Sequence, residues 1–258
     1  MNSLRTATEN NRWYHDEPTS LPAEVPVSEL IEVHDLSKVI APEGSRRFVR
    51  TNVHEVRRAD GSTGYQVVNE FPDGISLLPI DVVNGKAYAI MLDQVRYPHA
   101  SDGNKTMSLA ELARQGKIGR WGREIVSGAV DANDTVIDPN TGQYDKEATF
   151  KGAAIREASE EAGIIGLADY QVDRIYPELF SSIGVNNQSF NLFAATLEDG
   201  QWQPELTHPD LEEGTIHLGA YRLDTTIPEM IRQGQIWEMS AIAAISGLWT
   251  IAKYRKYL

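Results

Sequence analysis

The chain has 258 residues, 41% of them hydrophobic and 24% charged, so it can bury a real core and has the composition of a folded globular protein. It contains no cysteine, which excludes disulfides, thiolate nucleophiles, Cys-ligated zinc and iron–sulfur clusters and leaves oxygen ligands and six histidines for any metal. A net charge of −13 disfavours nucleic acid and anionic lipid as partners.

An anionic substrate would meet the same repulsion, so it would need local positive charge, for which divalent cations held by carboxylates are the obvious source. Residues 1–27 are polar with scattered prolines and read as an arm. No apolar leader and no run near the roughly 20 apolar residues of a membrane span is present, so a cytoplasmic protein without a membrane partner is expected. Runs 48–57 and 64–70 alternate and flank Ala59-Asp60-Gly61-Ser62, which predicts a hairpin. Runs 75–83 and 86–95 are joined by Asn84-Gly85, a strong tight-turn signal, and have the apolar content of buried strands.

Residues 101–120 break this pattern and read as an insertion with a short helix over 108–115 opening at Ser108. A short strand over 123–127 ends at Gly128, 131–144 is a loop by composition, and 147–162 is a helix stopped by Gly163. Strands near 170–176, 189–197 and 215–223 follow. Helices over 227–233 and 239–254 close the chain, the latter with Ile242, Ile245, Trp249 and Ala252 on one side. Mixed strands with a few helices predict an α/β or α+β sandwich.

The chemistry-bearing segment is 156–164. On a helix, Glu157, Glu160 and Glu161 stand at i, i+3 and i+4 and share a face, with Ile155, Ala158 and Ala162 opposite. Like charges at that spacing repel unless a cation or basic group sits among them, and carboxylates are the hard ligands that Mg²⁺ and Mn²⁺ prefer. A solvated helix with surplus glutamate has the same local pattern, so the surroundings decide. The histidines at 15, 34, 54, 99, 208 and 217 show no H-E-x-x-H spacing, and the phosphate-loop, dinucleotide-loop and G-x-S-x-G patterns are absent.

Arg156-Glu157-Ala158-Ser159-Glu160-Glu161-Ala162-Gly163-Ile164 resembles the second half of the Nudix box, G-x5-E-x7-R-E-U-x-E-E-x-G-U, with Ala158 at the first aliphatic position U. Glu124-Ile125-Val126-Ser127-Gly128 is similar to the strand and glycine that open the box in ADP-ribose pyrophosphatases, and Gln94-Val95-Arg96-Tyr97-Pro98 is similar to the Q-x-R-Y-P element that precedes it. The first half departs from the pattern. The expected acid after Gly128 is Asp134, extra residues intervene before the helix, and Glu147 lies one residue off the spacing to Arg156, so either could stand for that acid. The segment 181–188 also departs from the Ser-Pro-Gly usual in ADP-ribose hydrolases, which leaves the substrate open.

The resemblance implies a Nudix α/β/α sandwich around a mixed sheet over 71–258. Residues 1–70 would form an N-terminal arm and β-rich extension, similar to a dimerisation region, so a homodimer is expected. Glu157 and Glu161 would be the principal ligands of Mg²⁺, or of Mn²⁺ in its place, with Glu160 sharing them and a main-chain carbonyl of Ser127 or Gly128 completing the site. Arg156 would hold the helix carboxylates in position. Arg96 and Gly128 would meet the substrate. A loop glutamate just before the penultimate strand would take the proton from the attacking water, with Glu213 favoured narrowly over Glu212. The implied reaction is hydrolysis of a nucleoside diphosphate linked to another group, ADP-ribose to AMP and ribose 5-phosphate or else a nucleotide sugar. A catalytically inactive Nudix-fold sensor of a nucleotide metabolite is the alternative, and a structural protein with a solvated acidic helix is the third reading.

Overall fold

The computed structural model describes residues 29–35, 50–57, 61–71, 73–100, 118–180, 189–207 and 216–258. Strands β1 (Glu29–Asp35), β2 (Arg50–Arg57) and β3 (Thr63–Glu70) form an antiparallel sheet in that order, so the hairpin expected over 48–70 is present and gains a third strand. This is the β-rich extension. The remaining strands, β4 (Gly74–Val83), β5 (Lys86–Ala100), β6 (Ile118–Glu124), β7 (Val126–Ala129), β8 (Val172–Phe180), β9 (Ser189–Thr196) and β10 (His217–Arg222), form one seven-stranded sheet. Its main order is β10-β5-β4-β9-β8, with β6 paired to β5 and β7 to β4.

The sheet is mixed because β4 and β9 run parallel while the other pairs are antiparallel. Asn84 and Gly85 both hold positive φ, 52° and 74°, which closes the β4–β5 hairpin as their sequence demands. Helix α1 (Lys146–Ala162) lies on one face, where Ile75, Leu77, Ile90 and Phe193 meet Phe150, Ala153, Ala154, Ala158 and Ala162. Helices α2 (Thr226–Arg232) and α3 (Met239–Gly247) cover the other, where Leu78, Ile80, Met91 and Leu192 meet Ile227, Met230, Ala241, Ala244 and Ile245. Since both faces are covered, β4 is buried on each side, which explains why it reads as a nearly continuous apolar run.

Three sequence expectations need correction. Residues 118–120 belong to β6, because β5 runs on to Ala100 and holds them by cross-strand pairing, Ala100 opposite Ile118 and Arg96 opposite Arg120. The single strand over 123–127 is two: at Ile125 the chain leaves β5 and takes β4 as its partner. The expected loop over 131–144 is present, with a 3-10 turn, Ala132–Asp134, and a bridge between Ile137 and Tyr144 within it. The last helix ends at Gly247 and tightens into a 3-10 turn, Leu248–Thr250, leaving Trp249 59% exposed while Leu248 and Tyr254 are buried. A segment apolar on all sides carries no phase, so its periodicity could not choose the face that the sheet takes. The helix expected over 108–115 lies outside the described residues.

Candidate active site

Helix α1 begins with Asp145, whose side chain accepts from the Ala148 amide at 3.0 Å, and ends at Gly163, whose φ of 63° turns the chain out of the helix. Its residues 150, 154, 158 and 162 form the stripe against the sheet, and three of the four are alanines, which lets the helix lie close. The glutamates do not all stand opposite this stripe. Glu157 and Glu161 are 7% and 3% exposed, because each sits beside a stripe alanine at the margin facing β7. Only Glu160 projects outward, its side chain 47% exposed.

Strand β7 is the other wall. The Ser127 amide donates to Glu161 Oε2 at 3.0 Å. At Gly128 a Cβ atom would overlap the Glu157 carboxylate, so any larger residue would have to push that side chain aside; the glycine's φ is not in the left-handed region. Carboxylates this deep need positive charge or hydrogen-bond donors around them. The Ser127 amide and Arg156 are among the groups that provide it.

Arg156 organises the rest. Nε and Nη2 donate to the two Asp134 carboxylate oxygens, each at 3.0 Å, and Nη2 also donates to the Ala129 carbonyl at 3.1 Å. Nη1 contacts Glu157 Oε1 at 2.8 Å and Glu160 Oε2 at 2.9 Å. Burial alone would lower the guanidinium's pKa, but the bond to Asp134 and the charges of Glu157 and Asp134 outweigh it and hold the group firmly protonated. Burial alone would raise the Asp134 carboxyl, yet Arg156 and the Asp131 amide keep it below the usual carboxylate range.

Of the two candidate acids, Asp134 and Glu147, only one is paired with Arg156. Asp134 is the acid that forks onto Arg156. Glu147 lies out at the first turn of α1, its side chain 56% exposed, beside Lys151 at 3.5 Å and Arg174 at 3.8 Å. The sequence left this open because the extra residues shift the spacing. The 3-10 turn that carries Asp134 back to Arg156, closed by Asp131 N–H donating to Asp134 Oδ2 at 2.8 Å, has no separate sequence signal.

Among the described residues no three acidic or histidine side chains converge as a ready metal cluster. What is present is a pair of buried carboxylates one helical turn apart against the backbone of β7. An all-oxygen donor set of that kind fits Mg²⁺ or Mn²⁺, which take one or two carboxylates and complete their shell with water and phosphate. A groove of about 470 Å³ opens beside Arg156 and Glu160, walled by Ile155, Ile164, Ile165 and Leu167.

Of the other expected site residues, Arg96 lies in β5 opposite Arg120, and its side chain is outside the described residues, as are Glu212 and Glu213 altogether. Both flanks of the segment that holds these glutamates do reach α1. Gln203 N–H donates to the Gly163 carbonyl at 2.9 Å, and Ile216 packs on the core under α1.

No family model matches the sequence, and no curated protein does. Among solved structures, the crystal structure of an ADP compounds hydrolase matches over 92% of this chain and 100% of that one, with a TM-score of 0.57 at 12% identity. That likeness is one of fold. An Ap4A hydrolase from C. elegans in a binary complex (69% and 97% covered, 14% identity, TM-score 0.34) and a Nudix hydrolase from M. Smegmatis, RenU (78% and 95%, 14%, 0.35), are more distant matches.

Proposed function

We propose that the protein is a metal-dependent pyrophosphohydrolase acting on a nucleoside diphosphate linked to a second group, with ADP-ribose or a nucleotide sugar as substrate. The observation that carries this reading is the pair of buried carboxylates, Glu157 and Glu161, set against Ser127 and Gly128 and braced by Arg156 on Asp134. Glu157 and Glu161 hold a divalent cation, with a main-chain carbonyl of Ser127 or Gly128 completing the set; Glu160 joins them only if it leaves Arg156. When bound, Mg²⁺ or Mn²⁺ would supply Lewis acidity toward phosphate oxygens and water.

This chain's residues supply the remaining tasks. Arg156, itself anchored on Asp134, holds the Glu157 carboxylate in place before the diphosphate arrives. Arg96, at the far end of β5, meets a substrate phosphate. Glu213, or failing it Glu212, takes the proton from the attacking water; both flanks of that loop lie beside α1, which supports the assignment. Water adds to one phosphorus, the bridging oxygen leaves with the other, and two phosphate monoesters result, AMP and ribose 5-phosphate in the case of ADP-ribose. The sensor reading drew on the missing first acid of the motif, and the pairing of Asp134 with Arg156 supports Asp134 as its stand-in and so the enzyme reading.

The test is a panel of ADP-ribose, nucleotide sugars, NADH, diadenosine polyphosphates and nucleoside triphosphates with Mg²⁺, followed by ³¹P NMR. Two monoester signals from ADP-ribose or a nucleotide sugar are expected. Tight binding of these compounds without cleavage would favour the sensor, and cleavage of triphosphates alone would overturn the substrate class.

A further inference from the structure

Ser127 is bonded on both sides of the sheet. Its amide holds Glu161 under α1, while its hydroxyl donates to Ser76 Oγ at 2.9 Å toward α3, with the Ile125 carbonyl a second acceptor at 3.2 Å. Ser76 is the residue directly opposite Ser127 in the β4–β7 register. Ser76 Oγ donates in turn to Ser240 Oγ at 3.2 Å, and Ser240 Oγ to Glu238 Oε2 at 2.6 Å. Glu238 is the N-cap of α3, accepting from the amides of Ser240 at 2.7 Å and Ala241 at 2.6 Å.

The O–H groups of Ser127, Ser76 and Ser240 form a continuous chain through the sheet that ends on a carboxylate, and with all three oriented toward Glu238 each bond polarises the next. Ser76 is fully buried and interrupts the apolar centre of β4 between Ile75 and Leu77. For packing alone an alanine would serve at that position, and a buried hydroxyl costs free energy unless it is bonded. Strand β7 is four residues long and has β4 as its one strand neighbour among the described residues, so a lateral tie changes how firmly it is held.

We propose that Ser76 and Ser240 are positioning residues for the cation site: the hydroxyl chain from Ser127 to Glu238 fixes the β7 backbone, and through the Ser127 amide fixes Glu161, by anchoring both to the N-terminus of α3 on the opposite face. This rests on the reading of Glu157 and Glu161 as cation ligands. It makes the site dependent on residues that touch neither cation nor substrate and lie across the sheet from both.

Mn²⁺ titration of the full chain, followed by electron paramagnetic resonance, tests it with wild type, Ser76→Ala, Ser240→Ala, Ser240→Thr, the double Ser76→Ala/Ser240→Ala and Glu161→Gln. Removing outer partners of metal ligands weakens metal binding about 10–100-fold, and a loss near the lower end is expected for both alanine variants. Ser240→Thr keeps the hydroxyl and is expected to bind like wild type, and the double variant to lose no more than Ser76→Ala, because either change breaks the same chain. Wild-type affinity in both alanine variants while Glu161→Gln loses Mn²⁺ would overturn the chain and leave the cation site standing; so would additive losses in the double variant. Unaltered binding by Glu161→Gln would overturn the cation site and this inference with it. If Ser76→Ala does not fold, the Ser240 pair decides alone.

Discussion

One guanidinium, that of Arg156, serves three carboxylates and a main-chain carbonyl, and the arrangement shows what each partner is for. Asp134 is nearly buried, with a side chain 7% exposed, and has its pKa lowered, so its charged form stabilises the fold. A group with a depressed folded pKa contributes above its unfolded value and loses that contribution as pH falls through the folded one. Asp134→Asn should therefore cost about 1–3 kcal/mol in urea denaturation at neutral pH, a charged hydrogen-bond pair being at stake. The gap to wild type should close below the ordinary carboxylate value of 3.8. A gap that persists unchanged in acid would mean that charge is not the cause. For Glu213 the expectation is kinetic: Glu213→Gln should lower kcat by about 10²–10⁴-fold with KM unchanged, as for a general base acting only in the transition state. Loss in Glu212→Gln instead would move the role by one residue, and full turnover in both would place the base elsewhere.

At the level of elements, the site is the seam between α1 and β7, two pieces tuned for close approach. Alanines bring the helix down to the sheet, and Gly128 leaves the Glu157 carboxylate its place. Gly128→Ala should keep the fold, since no special φ is involved, but push Glu157 aside; a displacement of about 1 Å in such a site can lower turnover about 10²-fold. Measuring kcat and the thermal midpoint together would separate the effects, and an unchanged kcat would show that Glu157 needs no such room. The helix half of this seam was legible in the sequence, since i, i+3, i+4 spacing on a well-capped helix is a local property. Asp134 was legible only as one of two candidates beside Glu147, because its partner lies 22 residues away and the extra residues blur the spacing between them. Ser76 and Ser240 are 164 residues apart, and nothing local marks either as polar for a reason. The last helix was misjudged for the opposite cause: its surroundings are apolar throughout, so only the sheet could choose a face.

In the whole molecule, the cores on the two faces of the larger sheet include no side chain of β1–β3 among the described residues, and three strands are too few to bury much on their own. That unit is proposed to meet a second copy of the chain. Light scattering should find a dimer for the full chain and a monomer for a chain starting at Phe71, and a full-length monomer at micromolar concentration would contradict this. The net charge of −13 makes an anionic substrate dependent on charge supplied locally, and the buried pair Glu157 and Glu161 is where a cation would supply it. The most direct measurement is Mg²⁺-dependent release of AMP from ADP-ribose by wild type, Glu161→Gln and Glu147→Gln side by side, with a nucleotide sugar as the parallel substrate. Turnover in wild type and Glu147→Gln, abolished by chelation and by Glu161→Gln, is the predicted result; turnover that survives Glu161→Gln, or that needs no divalent cation, would contradict the account.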